Sequence, residues 1–345
     1  MSTHHSDSGA TTSLPTASLG ATGLQVTGVG LGAWAIGGGD WQGGWGTQDD
    51  EDSIRAIQHA MGSGVNWVDA APAYGLGHAE EVVGEAVRRL PAGDRPLVFT
   101  KCGLVWKPGE RTVSNVLAPD SIRQECTDSL RRLGAEVIDL LQIHWPSDDG
   151  TPIQESWATM AALVDEGKVR YIGVSNFDTH LLDQCEAIRH VDTVQPQLNL
   201  LERGTAADVI PWAHAHRTGV LVYSPMRSGM LTGRFSAERV ASLPDDDWRG
   251  KDPAFQEPEL GRSLRLVESL KAIAGKVGCS LPELAVAWTL AWPGVSGAIV
   301  GARSPEQVDG WVGAAGVRLS DAVLDEIAGA VRDSGAGSGP ERPEH

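Results

Sequence analysis

Eight short apolar runs, separated by amphipathic stretches of ten to fifteen residues, constrain this chain more than any other feature of its sequence. The runs are VGLGAW (29–34), NWVDAA (66–71), LVFTKCG (97–103), VIDLLQIHW (137–145), VRYIGVSN (169–176), TVQPQLN (193–199), GVLVYSP (219–225) and SGAIVGA (296–302). Stretches near 50–63, 79–90, 119–134, 153–167, 178–190, 206–217, 259–274 and 304–313 read as helices. A strand that is apolar at nearly every position is buried on both faces, which is the condition of a parallel sheet covered by its crossover helices. Eight such units favour an α/β fold closed into a (β/α)8 TIM barrel over an open sheet. The length of 345 residues suits one such barrel or two average domains, and it allows one sizeable core without staples.

Boundary residues agree with this reading. Pro119-Asp120 opens a helix with a fixed φ and an acidic first turn, Gly134 stops it, and Gly167-Lys168 ends the helix before the fifth run. The longest interruption, 226–258, is rich in Gly, Pro, Asp and Arg and follows the seventh run, where barrel enzymes carry functional loops. Further helical stretches lie at 281–292 and 320–332, so extra helices accompany the end of the barrel. The expected organisation is a disordered tail over 1–13, one barrel over 14–332 and a flexible tail over 333–345. His4 and His5 are read as incidental in the first tail rather than as a metal tract.

Several function classes are excluded at this level. The four cysteines (Cys102, Cys126, Cys185 and Cys279) form neither a C-x-x-C pair nor a disulfide framework. A formal net charge of −17 repels phosphate backbones and anionic membranes at long range, so no nucleic-acid or membrane partner is expected. A local basic pocket for a phosphorylated cofactor remains compatible with that charge, because contact interactions outweigh a screened field. No apolar run reaches the roughly 20 residues of a bilayer span, and the first residues lack a signal-peptide pattern. Cytoplasmic residence is the default expectation. GLGAWA fits the dinucleotide fingerprint G-x-G-x-x-A, but IGGGDWQGGWG follows it where that fold needs a helix, so the match is set aside. No metal-ligand spacing occurs.

In a barrel of this type the carboxyl ends of the strands converge on one mouth. The second run brings Asp69, with Tyr74 five residues later; the third carries Lys101, and the fourth ends in His144. A lysine within an apolar strand needs a partner or a function. Asp69 taken alone reads equally as a turn or cap residue, Tyr74 as loop packing and His144 as a core histidine. Taken together they form an acid–base set. A tyrosine near its ordinary pKa of about 10 is a poor acid. A neighbouring ammonium lowers that value, and a carboxylate keeps the lysine charged and in place.

DAAPAYG, FTKCG, LLQIHWP, GVSNF and GARSPEQ, in this order, resemble the successive signatures of the aldo-keto reductase family, and the general-stress-like bacterial branch in particular. The resemblance runs from LGATGLQVTGVGLGAW to about residue 330. It implies a barrel whose bottom is closed by an N-terminal β-hairpin, here 18–28, and a catalytic tetrad falling on Asp69, Tyr74, Lys101 and His144. The implied reaction is reversible hydride transfer between NADPH, with NADH as the alternative, and a small-molecule carbonyl (aldehyde, ketone or sugar), with Tyr74 as general acid. Ser175, Asn176 and Gln195 would hold the nicotinamide carboxamide, and the Tyr223 ring would stack on nicotinamide. Ser224, Pro225, Met226, Gly229 and Leu231 fall in the loop expected to cover the pyrophosphate. Gly301, Ala302, Arg303, Ser304 and Gln307 match the segment for the adenosine half. A guanidinium at a helix start suits a 2′-phosphate, which favours NADPH. The chain departs from the family at Gly310-Trp311, where Glu-Asn is frequent, and at Leu198-Asn199, where Tyr-Asn is usual.

Of the twelve tryptophans, Trp34 and Trp145 adjoin motif residues and are expected to line the substrate pocket. Trp41, Trp45 and Trp106 fit pocket or packing equally well. Two other readings stay open: an NAD(P)-dependent sugar or alcohol dehydrogenase using the same residues, and an NADPH-binding regulatory protein like the potassium-channel subunits of this family.

Overall fold

A computed structural model describes residues 14–39, 41–147, 149–244 and 247–343. Eight parallel strands close into a barrel in sequence order: β1 Val29–Gly32, β2 Trp67–Asp69, β3 Leu97–Cys102, β4 Ile138–Ile143, β5 Val169–Ser175, β6 Thr193–Gln195, β7 Gly219–Tyr223 and β8 Val295–Gly301. β8 closes on β1 with Ala298 opposite Val29. Seven strands lie within the expected apolar runs, β8 starts one residue ahead of its run, and all are buried at most positions. β1 to β7 are shorter than their runs because the final residues of each run already turn into the loops at the mouth.

Helices α1 Asp50–Gly62, α2 His78–Arg88, α3 Pro119–Leu133, α4 Ile153–Asp165, α5 Thr179–Glu186 and α6 Val209–His216 cross between strands. Their ends follow the expected chemistry. Asp49 accepts from the Asp52 N–H at the start of α1, and Gly134 ends α3 in the left-handed region at φ 64°. After β7 the long insertion contains a short helix, Ala237–Ala241, and several single turns. Helices Glu259–Val277 and Leu281–Leu290 precede β8, while Pro305–Asp309 and Asp321–Ser334 follow it. The stretch read as one helix over 304–313 is a five-residue helix, then a separate turn at Val312–Gly316.

The barrel interior is a packed core. Trp67, Phe99, Leu140, Leu221 and Ile299 fill it, and Leu19 and Val26 plug it from below. The plug comes from an antiparallel hairpin, Thr16–Ser18 with Gln25–Thr27, close to the 18–28 implied by resemblance. The Trp67 indole donates to the Thr27 carbonyl at 2.9 Å, tying plug to barrel. This packing accounts for Gly30: a Cβ there would lie 2.2 Å from the Trp67 ring. The glycines of GLGAW serve barrel packing, and β1 leads into a turn and a Gly-rich loop where a dinucleotide fold would place a helix.

The chain after residue 333 differs from the flexible tail expected of it. The last helix runs to Ser334, Ala336 is buried, and the Ser338 N–H donates to the Leu201 carbonyl. Arg203, 3 % exposed, donates to the carbonyls of Leu200, Ala336 and Gly339. Buried main chain must be hydrogen-bonded, and this arginine supplies donors that composition alone does not reveal. Residues 1–13 and 344–345 lie outside the described residues.

Candidate active site

The mouth at the carboxyl ends of the strands opens into one cavity of about 900 Å³. At its floor, Asp69 ends β2 and Lys101 lies near the end of β3, both almost fully buried. The Lys101 Nζ donates to Asp69 Oδ1, and also to the Ala70 carbonyl at 3.0 Å. The other carboxylate oxygen, Asp69 Oδ2, accepts from Gln195 Nε2 at 2.9 Å. The amine is thus pinned by its strand neighbours, and its remaining reach is toward Tyr74 Oη at 3.4 Å. Burial by itself would lower the Lys101 pKa; Asp69 and Tyr74 outweigh it and hold the ammonium above its ordinary value.

Tyr74 sits in the loop after β2, its ring between Trp34, near-parallel at 6.2 Å, and His144, edge-on at 5.6 Å. The loop is held by close backbone approach: a Cβ on Gly37 would lie 2.6 Å from the Gly75 nitrogen. Here the electrostatics differ from the expectation that Lys101 acidifies the phenol. Burial raises the Tyr74 pKa and Asp69 adds to the rise; Lys101 pulls it down without overcoming them. The phenol is therefore held above its ordinary value and stays protonated near neutrality. His144 follows β4, and its Nδ1 is buried without a hydrogen-bond partner among the described residues. Burial, with a smaller contribution from the Lys101 ammonium, holds the imidazole well below its ordinary range. It is a neutral ring beside a neutral phenol.

The residues expected around a nicotinamide form one hydrogen-bonded group. Ser175 Oγ donates to the Gln195 carbonyl at 2.8 Å. Asn176, in the left-handed region at φ 63°, donates to the His144 carbonyl at 3.0 Å and accepts from Tyr223 Oη at 2.7 Å. Ser175, Asn176, Gln195, Tyr223, Ser224, Pro225, Met226 and Gly229 all line the cavity. Leu231 is fully buried beneath the loop and does not line it. Ser224, Arg227 and Ser228 all have positive φ (56°, 46° and 52°), so the turn after β7 is strained, as functional loops often are.

At the far end Gly301, Arg303 and Gln307 line the cavity, whereas Ala302 and Ser304 do not. The Arg303 N–H donates to Gln307 Oε1 at 2.9 Å. The Arg303 side chain is engaged elsewhere: Nε with Gln48 Oε1 at 2.5 Å, Nη1 with the Trp45 carbonyl at 3.1 Å, and Nη2 with the Thr47 carbonyl. The departure at Gly310-Trp311 also faces the cavity, with Trp311 buried. In the other departure, Asn199 is buried and donates to the Ser224 carbonyl at 3.1 Å, supporting the turn after β7.

Trp34 and Trp145 both line the cavity, Trp145 with 44 % of its surface exposed. Trp41 and Trp45 join them, while Trp106 lies away from the cavity, under the Arg132 guanidinium at 6.0 Å. Sequence reasoning missed Trp248 and Arg249 of the long insertion. The Trp248 ring is near-parallel to Trp34 at 6.3 Å, and the Arg249 guanidinium lies 4.9 Å from the Trp45 ring. A Trp-Arg pair in a Pro- and Asp-rich insertion was the available signal, but periodicity says nothing about where an irregular loop lands.

The chain matches the family model "Aldo/keto reductase family" over residues 29–332. It is 39% identical to Aldo-keto reductase YhdN of Bacillus subtilis over 293 residues, covering 85% of this chain and 86% of the relative. It is 35% identical to an NADH-specific methylglyoxal reductase of Escherichia coli over 315 residues, covering 88% and 94%. Among solved structures, the glycerol dehydrogenase AKR11B4 from Gluconobacter oxydans superposes with a TM-score of 0.82 at 39% identity, covering 94% of this chain and 95% of that one. With this fold, this mouth and these relatives, the chain belongs to the aldo/keto reductase family.

Proposed function

We propose that this protein reduces a small carbonyl compound to the alcohol with a nicotinamide cofactor, Tyr74 donating the proton. The observation that carries this reading is the buried Asp69–Lys101 pair, whose ammonium also donates to the Tyr74 hydroxyl on the cavity side. One continuous cavity touches both the tetrad and the Arg303 segment, and its volume of about 900 Å³ suits an elongated ligand together with a small substrate. When bound, a nicotinamide supplies the hydride. Ser175, Asn176 and Gln195 would hold its carboxamide and Tyr223 would flank its ring. The strained turn from Ser224 to Gly229 would follow the pyrophosphate, and Arg303, Gln307 and Trp311 would take the adenosine half.

The chain's own chemistry then runs in a fixed order. The neutral His144 ring orients the carbonyl oxygen toward Tyr74. Tyr74 releases its proton to that oxygen as negative charge builds there, and Lys101 stabilises the phenolate left behind. Asp69, itself braced by Gln195, keeps the ammonium charged and aimed. A phenol held above its ordinary pKa gives up its proton only when charge develops beside it, so transfer is coupled to reduction.

We favour NADPH, with Arg303 recognising the 2′-phosphate. A second reading, NADH, draws on the engagement of Arg303 with residues 45–48 and on the NADH-specific relative. Absorbance loss at the nicotinamide band, with a panel of aldehydes and both cofactors, tests these points together. Tyr74→Phe should lose between about 10² and 10⁴ of kcat while cofactor affinity stays within twofold. Equal turnover in that variant would refute the acid assignment. Arg303→Ala should weaken NADPH far more than NADH.

A further inference from the structure

In the adenosine segment, the loop after β1 holds Arg303 directly by its side chain. Its Nε donates to Gln48 Oε1 at 2.5 Å, and Nη1 and Nη2 donate to the carbonyls of Trp45 and Thr47. Gln48 is held in turn: its Nε2 donates to the Arg303 carbonyl at 3.0 Å and to Ser53 Oγ at 3.1 Å. Gln48 and Arg303 therefore clasp each other through side chain and backbone, across 255 residues of sequence. A guanidinium binds phosphate best through two parallel N–H bonds, and the side-on pair needs Nε. While Gln48 holds Nε, that mode is closed.

The same loop reaches the substrate end. The Trp45 ring lies edge-on to Trp248 at 6.2 Å and under the Arg249 guanidinium at 4.9 Å, both from the insertion after β7. Trp34, beside Tyr74, donates through Nε1 to the Gly43 carbonyl at 2.8 Å. Loop 43–48 thus spans from the phosphate-reading arginine to the aromatic wall of the mouth.

We propose that Gln48 sets cofactor discrimination by competing with the 2′-phosphate for Arg303. A 2′-phosphorylated adenosine must take Nε from Gln48, whereas an unphosphorylated one leaves the clasp closed. Withdrawal of Arg303 from the Trp45 and Thr47 carbonyls also frees the loop that carries Trp45 against Trp248, so the two cofactors leave the mouth differently closed. This inference rests on the reading that Arg303 meets the adenosine end of the cofactor.

Calorimetric titration of the full chain with adenosine 2′,5′-bisphosphate and with 5′-AMP separates the two ideas. Gln48→Ala should bind the bisphosphate about tenfold more tightly, the worth of one hydrogen bond to a charged group, with AMP unchanged within twofold. Gln48→Glu, which strengthens the clasp with a charge, should weaken the bisphosphate by a similar factor. In the unaltered chain the bisphosphate, and not AMP, should shift tryptophan emission, and Trp45→Phe should reduce that shift. If Arg303→Ala leaves bisphosphate affinity unchanged, the placement of the adenosine end is wrong. If Arg303→Ala abolishes it while the two Gln48 variants do not move in opposite directions, the placement stands and the competition is overturned.

Discussion

The chemistry of single side chains here is governed by burial as much as by neighbours. Tyr74 stays neutral because burial overrides the Lys101 ammonium, whereas at His144 burial and that ammonium act together to keep the ring neutral. Imidazole nitrogen NMR should consequently show His144, assigned by comparison with His144→Gln, failing to titrate between about pH 8 and 6; a midpoint near its ordinary value of about 6.5 would contradict that. Glu125 on α3 follows the same rule, a buried carboxyl outside the acid–base set. It accepts from the Gly103 N–H at 2.9 Å and from Ser121 Oγ at 3.1 Å, and burial outweighs these bonds to push its pKa up to about 7. A carboxyl whose folded pKa is raised contributes stability that is full below its unfolded pKa and is lost as pH rises through 7. This loss amounts to about 3 kcal/mol at most between pH 4 and 8. Denaturant titrations should show that decline in the unaltered chain and a flatter profile in Glu125→Gln.

At the scale of elements, the barrel depends on contacts between residues far apart in sequence. Gly30 of β1 makes room for Trp67 of β2, and Trp67 ties down the N-terminal hairpin through Thr27. Gly30→Ala should cost about 3 kcal/mol or more, since the obstructing atoms belong to a rigid, fully buried ring. Coupling to Trp67→Leu, which removes the obstruction, should recover part of that loss in a double-mutant cycle. Additive costs would show that the ring is not the obstacle. The elements themselves were legible in the sequence. Eight apolar runs, the Pro119 start and the Gly134 stop report local preferences that the fold leaves intact. The interior of 226–258 was not legible, because an irregular loop is shaped by what it packs against.

At the scale of the whole molecule, the C-terminal segment closes over the loop that follows β6. Arg203 bonds three carbonyls there, two of them from residues 336 and 339, and Ser338 pairs with the same loop. A chain ended after Ser334 should melt about 5 °C lower, because a buried guanidinium loses two of its acceptors. Calorimetric scans of the two chains decide this, and equal midpoints would mean that the segment is only draped on the surface.

Identity, order and spacing of Asp69, Tyr74, Lys101 and His144 were determined by the sequence, because strand ends of a parallel barrel have only one mouth to meet at. The segment from Ser175 to Gln195 and the Arg303 motif were readable in the same way, each adjoining a recognisable strand. Only the tertiary structure decided that burial overrides Lys101 at the phenol, that Trp248 stands over Trp34, and that Gln48 occupies the arginine. Desolvation and long-range hydrogen bonds depend on which surfaces meet, and such meetings leave no period in a sequence.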